Sequence, residues 1–200
     1  MAAIIDHAIP SQGFELVRDL IGAILKEELE NQKTLQNLPE EIQVFSERTT
    51  PFGNEEELAI NVLLSSVNYT GMTQKDTQGR TMFLVDIYTN GRASNGTPGG
   101  LDSSKRLHKY IGLVRYILQY SEYKTLSLPL GVIAGGSVDD FNIMEPSQQQ
   151  DSNFTRMGRV SVSYRIQENQ ALIQGVTLES MITTVKLNDT NLGYRFELIN

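Results

Sequence analysis

Few side chains in this sequence could do chemistry, and their spacing limits what that chemistry could be. There are two histidines, His7 near the N-terminus and His108 in a segment of helical periodicity. Gly112 and Arg115 follow His108 one and two turns on, so no second ligand stands at the spacing a histidine metal site needs. Asp139-Asp140 and Glu55-Glu56-Glu57 are the candidate hard-cation ligands. A calcium loop alternates its oxygen ligands around a glycine turn, and neither run does so. The glycine-rich stretch that ends at Gly100 suggests a phosphate cradle ahead of a helix. A phosphate loop places Lys and a hydroxyl residue immediately after its second glycine. Here Leu101-Asp102-Ser103-Ser104-Lys105 follows, with a carboxylate where the anion would sit. There is no Gly-x-Ser-x-Gly elbow and no cysteine, so neither usual nucleophile is presented. No catalytic, metal-ligating or cofactor-binding residue is assigned, and no cofactor is expected.

Composition sets the next limits. Two hundred residues with 40% hydrophobic content suffice for one substantial core. The first residues, Met-Ala-Ala-Ile-Ile-Asp-His, lack a basic start and a long apolar stretch, so no signal peptide is expected. No apolar run approaches the length of a membrane span, and no membrane partner is expected. Without secretion, the Asn-x-Thr triplets at Asn68, Asn95, Asn153 and Asn188 carry no meaning. The net charge is -7, unevenly placed: residues 1–60 hold 12 acids and 4 bases, and the remainder is close to balanced. That is either a solvated acidic face or one half of a complementary contact between like subunits. The overall acidity excludes the basic footprint of a nucleic-acid reader.

The elements that would carry these residues follow from periodicity. Phe14, Val17, Leu20, Ile21, Ile24 and Leu25 mark an amphipathic helix, capped by Ser11 and ending near Leu29. Ile42 to Phe45 is a short strand. Leu58, Ile60, Val62 and Leu64 alternate in a strand that bulges at Ser65-Ser66. Arg80 to Tyr88 is apolar on both faces, as a central strand would be. Further strands are expected at Thr125 to Val132, at Ser137 to Met144, and around Val160, Val162, Tyr164 and Ile166. A final pair, Val176 to Leu187 and Tyr194 to Ile199, flanks a turn at Asn188 to Asn191. The order helix, strands, helix, strands predicts an α+β fold: a twisted, mainly antiparallel sheet with two amphipathic helices packed on it. The expected organisation is a single domain over 1–200 with a C-terminal β-hairpin extension from about 175.

The second helix, over 105–120, is the most distinctive of these elements. Leu107, Ile111, Val114 and Leu118 form one apolar stripe, and Tyr110, Leu113, Tyr116, Ile117 and Tyr120 widen it to most of the circumference. Only His108, Gly112, Arg115 and Gln119 form a polar stripe. Such a helix is expected to be buried on two sides, the second being another subunit. Gly112 costs about 1 kcal/mol relative to alanine inside a helix; it is either a neutral substitution or a place where another backbone approaches closely. Tyr110, Gly112, Leu113, Tyr116 and Ile117 are therefore the candidate self-association residues.

This order of parts resembles the tail terminator, or tail completion, proteins of tailed bacteriophages. The resemblance is carried by the N-terminal helix, by Phe83-Leu-Val-Asp-Ile-Tyr-Thr-Asn90 and a polar loop, by Leu107-His-Lys-Tyr-Ile-Gly-Leu-Val-Arg-Tyr-Ile-Leu118, and by Met157-Gly-Arg-Val-Ser-Val-Ser-Tyr-Arg165. The chain differs from the simplest members in its added hairpin after Gly175. The resemblance implies a non-enzymatic virion protein of the tail and neck, made and assembled in the host cytoplasm. It implies a homo-oligomeric ring, usually a hexamer, that caps the tail tube, stops its polymerisation and joins it to a neck or head-completion protein. DNA would pass through without sequence-specific binding. Tube and neck contacts would fall on loops 89–104 and 145–153, with Arg92, Asn95, Ser147, Gln148, Gln149 and Asp151 as candidates. Other readings stay open beside it: a different neck, tube or baseplate component, a small non-viral binding module, or an enzyme.

Overall fold

The structure is a computed structural model; it describes residues 8, 11–50, 52, 56–69, 78–91, 99–128, 131–144, 154–167, 180–186 and 193–199. The chain forms two compact units, Met1–Gln170 and Ala171–Asn200. The first unit runs α1 (Gly13–Gln36), β1 (Ile42–Ser46), β2 (Leu58–Asn68), β3 (Gln78–Gly91), α2 (Gly99–Gln119), a 3-10 turn at Ser121–Tyr123, β4 (Ile133–Ile143) and β5 (Phe154–Gln167). Its five strands lie in the order β1-β2-β3-β5-β4. β1 pairs parallel to β2 and every other pairing is antiparallel, so the fold is α+β with a mainly antiparallel sheet. The second unit holds the expected hairpin, β6 (Ser180–Lys186) against β7 (Gly193–Ile199), with Ser180 opposite Ile199.

Both helices cover one face of the sheet, α1 over β1 and β2, α2 over β3 and β5. Strand alternation divides the residues between the faces. Val160, Val162, Tyr164 and Ile166 of β5, with Phe83, Val85 and Ile87 of β3, are buried toward the helices. They meet Val17, Ile21, Leu25 and Leu29 of α1 and Leu107, Ile111, Val114 and Leu118 of α2 in one core. β3 is the middle strand and is half-buried or buried on both faces from Thr81 to Asn90, as its apolar run predicts. The bulge in β2 falls between Leu64 and Ser66.

Several boundaries differ from the sequence reading. α1 continues past Leu29 to Gln36, because polar residues on its exposed side extend the helix without needing burial. It ends where Asn37 takes a left-handed conformation (φ 51°) and the Leu38 N–H bonds the Lys33 carbonyl at 3.0 Å. Gln12, not Ser11, occupies the N-cap, and its N–H donates to the Glu15 carboxylate at 2.7 Å. Of the strand expected over Thr125 to Val132, residues 125–128, 131 and 132 are not in a strand, and residues 129 and 130 lie outside the described residues. Leu126 and Ser127 adopt left-handed conformations, and a turn inserts the Leu126 side chain into the core. α2 begins at Gly99, so the polar connection expected over 89–104 shortens to the residues between Gly91 and Gly99. A Cβ at Gly91 would collide with the Gly99 carbonyl, and that close packing leaves no apolar signature in the sequence.

Candidate functional site

α2 determines where the candidate site lies. Its first turns are fastened to the sheet by polar contacts: the Thr89 hydroxyl donates to the Ser103 carbonyl at 2.9 Å, and Arg156 donates to the Ser104 hydroxyl at 3.0 Å. Arg106 ties α2 to the segment after α1, reaching Glu40 at 3.4 Å and Asp102 at 2.8 Å. The buried Tyr110 hydroxyl donates to the same Glu40 at 3.1 Å. Burial, followed by the Glu40 charge, holds the Tyr110 hydroxyl pKa well above the usual phenol range.

The five self-association candidates therefore separate. Tyr110 and Ile117 are buried and belong to the protomer's own core. Leu113 is half-buried, Gly112 is exposed, and Tyr116 is 69% exposed. A Cβ at Gly112 would meet nothing within 4 Å, so none of the described residues makes a close approach there. Part of the second buried side expected for the helix is supplied by α1 of the same chain. The rest remains open to solvent.

The open part is a groove of about 410 Å³ between α1 and the C-terminal half of α2. Tyr116, Tyr120 and Tyr123 form its aromatic wall, with neighbouring ring centres 6.1 and 6.2 Å apart. Leu113 and Ile117 form its floor, and Glu28, Gln32 and Glu122 complete the lining. Tyr123 donates to Glu28, and that hydrogen bond is the first cause that pushes the Tyr123 pKa up to about 12. Sequence reading missed Tyr123 and Glu28. The i, i+4, i+7 spacing of Tyr116, Tyr120 and Tyr123 was a usable signal, whereas Glu28 lies 95 residues from Tyr123 and joins it only through the tertiary fold.

The face of the sheet away from the helices carries charge. Arg159 donates two hydrogen bonds to Asp86, at 2.7 and 2.8 Å, and the pairing raises the Arg159 pKa. Near β1 the chain folds back over this face: the Arg48 guanidinium lies 4.5 Å from the Phe45 ring and 4.4 Å from the Phe52 ring, and it pairs with Glu56 at 2.6 Å. Further along, Arg80 pairs with Asp139 at 3.1 Å.

The remaining sequence candidates are dispersed. His108 is exposed on α2, Asp140 is exposed on β4, and Glu56 is engaged by Arg48. Among the described residues, no group of three or more histidine, cysteine or carboxylate side chains is placed to hold a metal ion. Among them, too, no helix is long and apolar enough to cross a membrane. Arg92, Asn95, Ser147, Gln148, Gln149 and Asp151 lie outside the described residues. No protein-family model matches this chain, and no curated protein matches it.

Proposed function

We propose that this chain is a virion structural protein of tailed bacteriophages, a ring-forming tail terminator. In this reading it caps the finished tail tube, stops further polymerisation and presents a surface to the neck or head-completion protein. The observation that carries the reading is the exposed aromatic surface at the C-terminal end of α2. Tyr116 is 69% exposed and Tyr120 is 43% exposed, beside Ile117 and Leu118, which are buried. Contiguous aromatic surface on a small unit marks an association site. The order of parts across the first unit, helix, three strands, helix, two strands, agrees with the family resemblance. The net charge of -7 suits a conduit that DNA must pass without sticking.

The test is a capping assay with the tail tube protein of the same phage. Purified chain is expected to form rings of about six subunits by light scattering and negative-stain microscopy. It is also expected to bind tube ends and halt their elongation. Tubes that elongate unchanged and ends that remain bare would overturn the reading. The groove itself favours a second reading, a small binding module, which predicts a stable monomer that binds a ligand there and ignores tubes.

A further inference from the structure

The groove beside α2 is acidic as well as aromatic. Glu28 and Glu122 stand beside its three tyrosines, and none of the described lining residues is basic. None of the ion pairs among the described residues uses either carboxylate. Glu28 accepts from the Tyr123 hydroxyl and, at 3.4 Å, from the Asn31 amide, two neutral donors that cancel no charge. Lys33, next to Gln32, is turned to Glu30 at 4.0 Å. The negative field acts on Tyr123 itself: after the Glu28 hydrogen bond and burial, the charges of Glu28, Glu27 and Glu122 all hold its pKa up.

Such a lining attracts a cation. A cation within about 6 Å of an aromatic ring centre is held by the ring face. The ring centres of Tyr116, Tyr120 and Tyr123 follow one another at 6.1 and 6.2 Å, close enough for two rings to act on one group. The floor of Leu113 and Ile117 suits the aliphatic stem behind the charge. A planar guanidinium stacks on aromatic rings and forks onto carboxylates, so arginine fits better than a compact, strongly hydrated ammonium.

The surface continues beyond the tyrosines. Glu40, past the end of α1, meets Tyr110, whereas Glu28 within α1 meets Tyr123 beyond α2. The two helices therefore run antiparallel, and the groove follows both. Leu35 lies two turns on from Glu28 on the same stripe of α1 and is 70% exposed. From Glu28 to Leu35 is about 10 Å of helix axis, the reach of about three residues of extended chain. A free ion covers one end of that track, and a polypeptide covers both.

We propose that the groove between α1 and the C-terminal half of α2 docks an arginine of a partner polypeptide. The guanidinium lies between the tyrosine rings and the carboxylates of Glu28 and Glu122, and a neighbouring apolar residue of the partner reaches Leu35. The inference rests on this aromatic surface being an association site, as in the reading above, and needs neither a ring nor a tube.

Fluorescence polarisation of a labelled hexapeptide, Gly-Leu-Gly-Gly-Arg-Gly, tests the groove on the whole chain, alongside the same peptide in reversed order. Citrulline in place of arginine keeps the shape and removes the charge. In its better orientation the arginine peptide is expected to bind about tenfold more tightly than its citrulline counterpart. Glu28→Gln keeps an acceptor for Tyr123, and combined with Glu122→Gln it is expected to abolish that preference while urea unfolding stays unchanged. Leu35→Ser is expected to weaken the peptide and to leave binding of N-acetylarginine amide as it was. Equal affinity for arginine and citrulline peptides, no binding of either, or a preference that survives in the double variant would overturn the proposal. N-acetylarginine amide bound as tightly as the peptide would reduce the groove to a site for a free cation and overturn the polypeptide. A peptide expelled as the chain self-associates would place a second copy in the groove and overturn the choice of partner. The tube-capping assay, which reads tubes and not peptides, decides the terminator reading separately.

Discussion

Gly158 lies directly under Ile111: a Cβ at Gly158 would stand 2.6 Å from the Ile111 Cδ1 and 3.2 Å from the Leu107 Cδ1. The missing side chain is what lets α2 settle onto β5. Any substitution here must displace the end of the buried Ile111 side chain or shift the backbone, and overpacking of this kind costs about 1–3 kcal/mol. Gly158→Ala is expected to lower the unfolding free energy, measured by urea denaturation, by that amount, and Gly158→Val to cost more. Ile111→Asp, which buries a charge at the same contact, is expected to prevent folding. A Gly158→Val chain as stable as the parent would show that α2 sits further from the sheet than this packing requires.

Asp86 and Arg159 form an asymmetric pair. The Asp86 side chain is 2% exposed, whereas Arg159 is 30% exposed and retains access to water. Removing the arginine strands a buried carboxylate; removing the carboxylate leaves a guanidinium that can turn outward. Arg159→Met is therefore expected to cost about 3 kcal/mol and Asp86→Asn about 1–2 kcal/mol. Chemical denaturation of both variants checks the order. An Asp86→Asn loss equal to or larger than the Arg159→Met loss contradicts it.

Alternation made the middle of the sheet legible in advance. Val160, Val162, Tyr164 and Ile166 repeat with period two because one face of β5 meets both helices, and the extra residue in β2 was visible at Ser65-Ser66. Pattern failed where burial is achieved without a regular element. Leu126 and Leu128 look like strand residues, yet Leu126 enters the core from a left-handed turn. It failed again at the groove, which needs Glu28 of α1 and Tyr123 beyond α2 to meet. The wide apolar arc of α2 predicts burial on two sides, whereas α1 covers only part of the second side and Tyr116 stays exposed. Which residues α1 would satisfy and which would stay exposed depended on the helix crossing, and no single-helix pattern contains that.

Tyr164 is buried, and among the described residues its hydroxyl has no hydrogen-bond partner. Its ring covers Gly136, where a Cβ would overlap it, so the ring contributes packing while the hydroxyl carries a desolvation cost. Tyr164→Phe keeps the ring and removes the cost. The expected result is a gain of about 1 kcal/mol in unfolding free energy at neutral pH. A loss of similar size would mean that the hydroxyl is satisfied in solution. Tyr164→Ala separates the two contributions, with an expected loss of about 3–5 kcal/mol for the ring.

High pH should loosen the fold through tyrosines whose pKa is raised, among them Tyr88, raised first by burial. Burial raises the pKa of Tyr164 and, together with Glu40, that of Tyr110, while the hydrogen bond to Glu28 pushes Tyr123 up to about 12. An unfolded tyrosine titrates near about 10, so above that pH the folded chain holds protons that the unfolded chain has released. The stability linked to these hydroxyls is complete below about pH 10 and is lost as pH rises from there through the folded values. Each group contributes a slope of at most about 1.4 kcal/mol per pH unit, and less for the half-buried Tyr123. Unfolding midpoints measured from pH 9 to about 12 should fall with pH. Tyr110→Phe and Tyr164→Phe should each flatten that fall, because phenylalanine has no proton to lose. Equal slopes in the parent and both variants would place the alkaline transition on other groups and remove Tyr110 and Tyr164 from it.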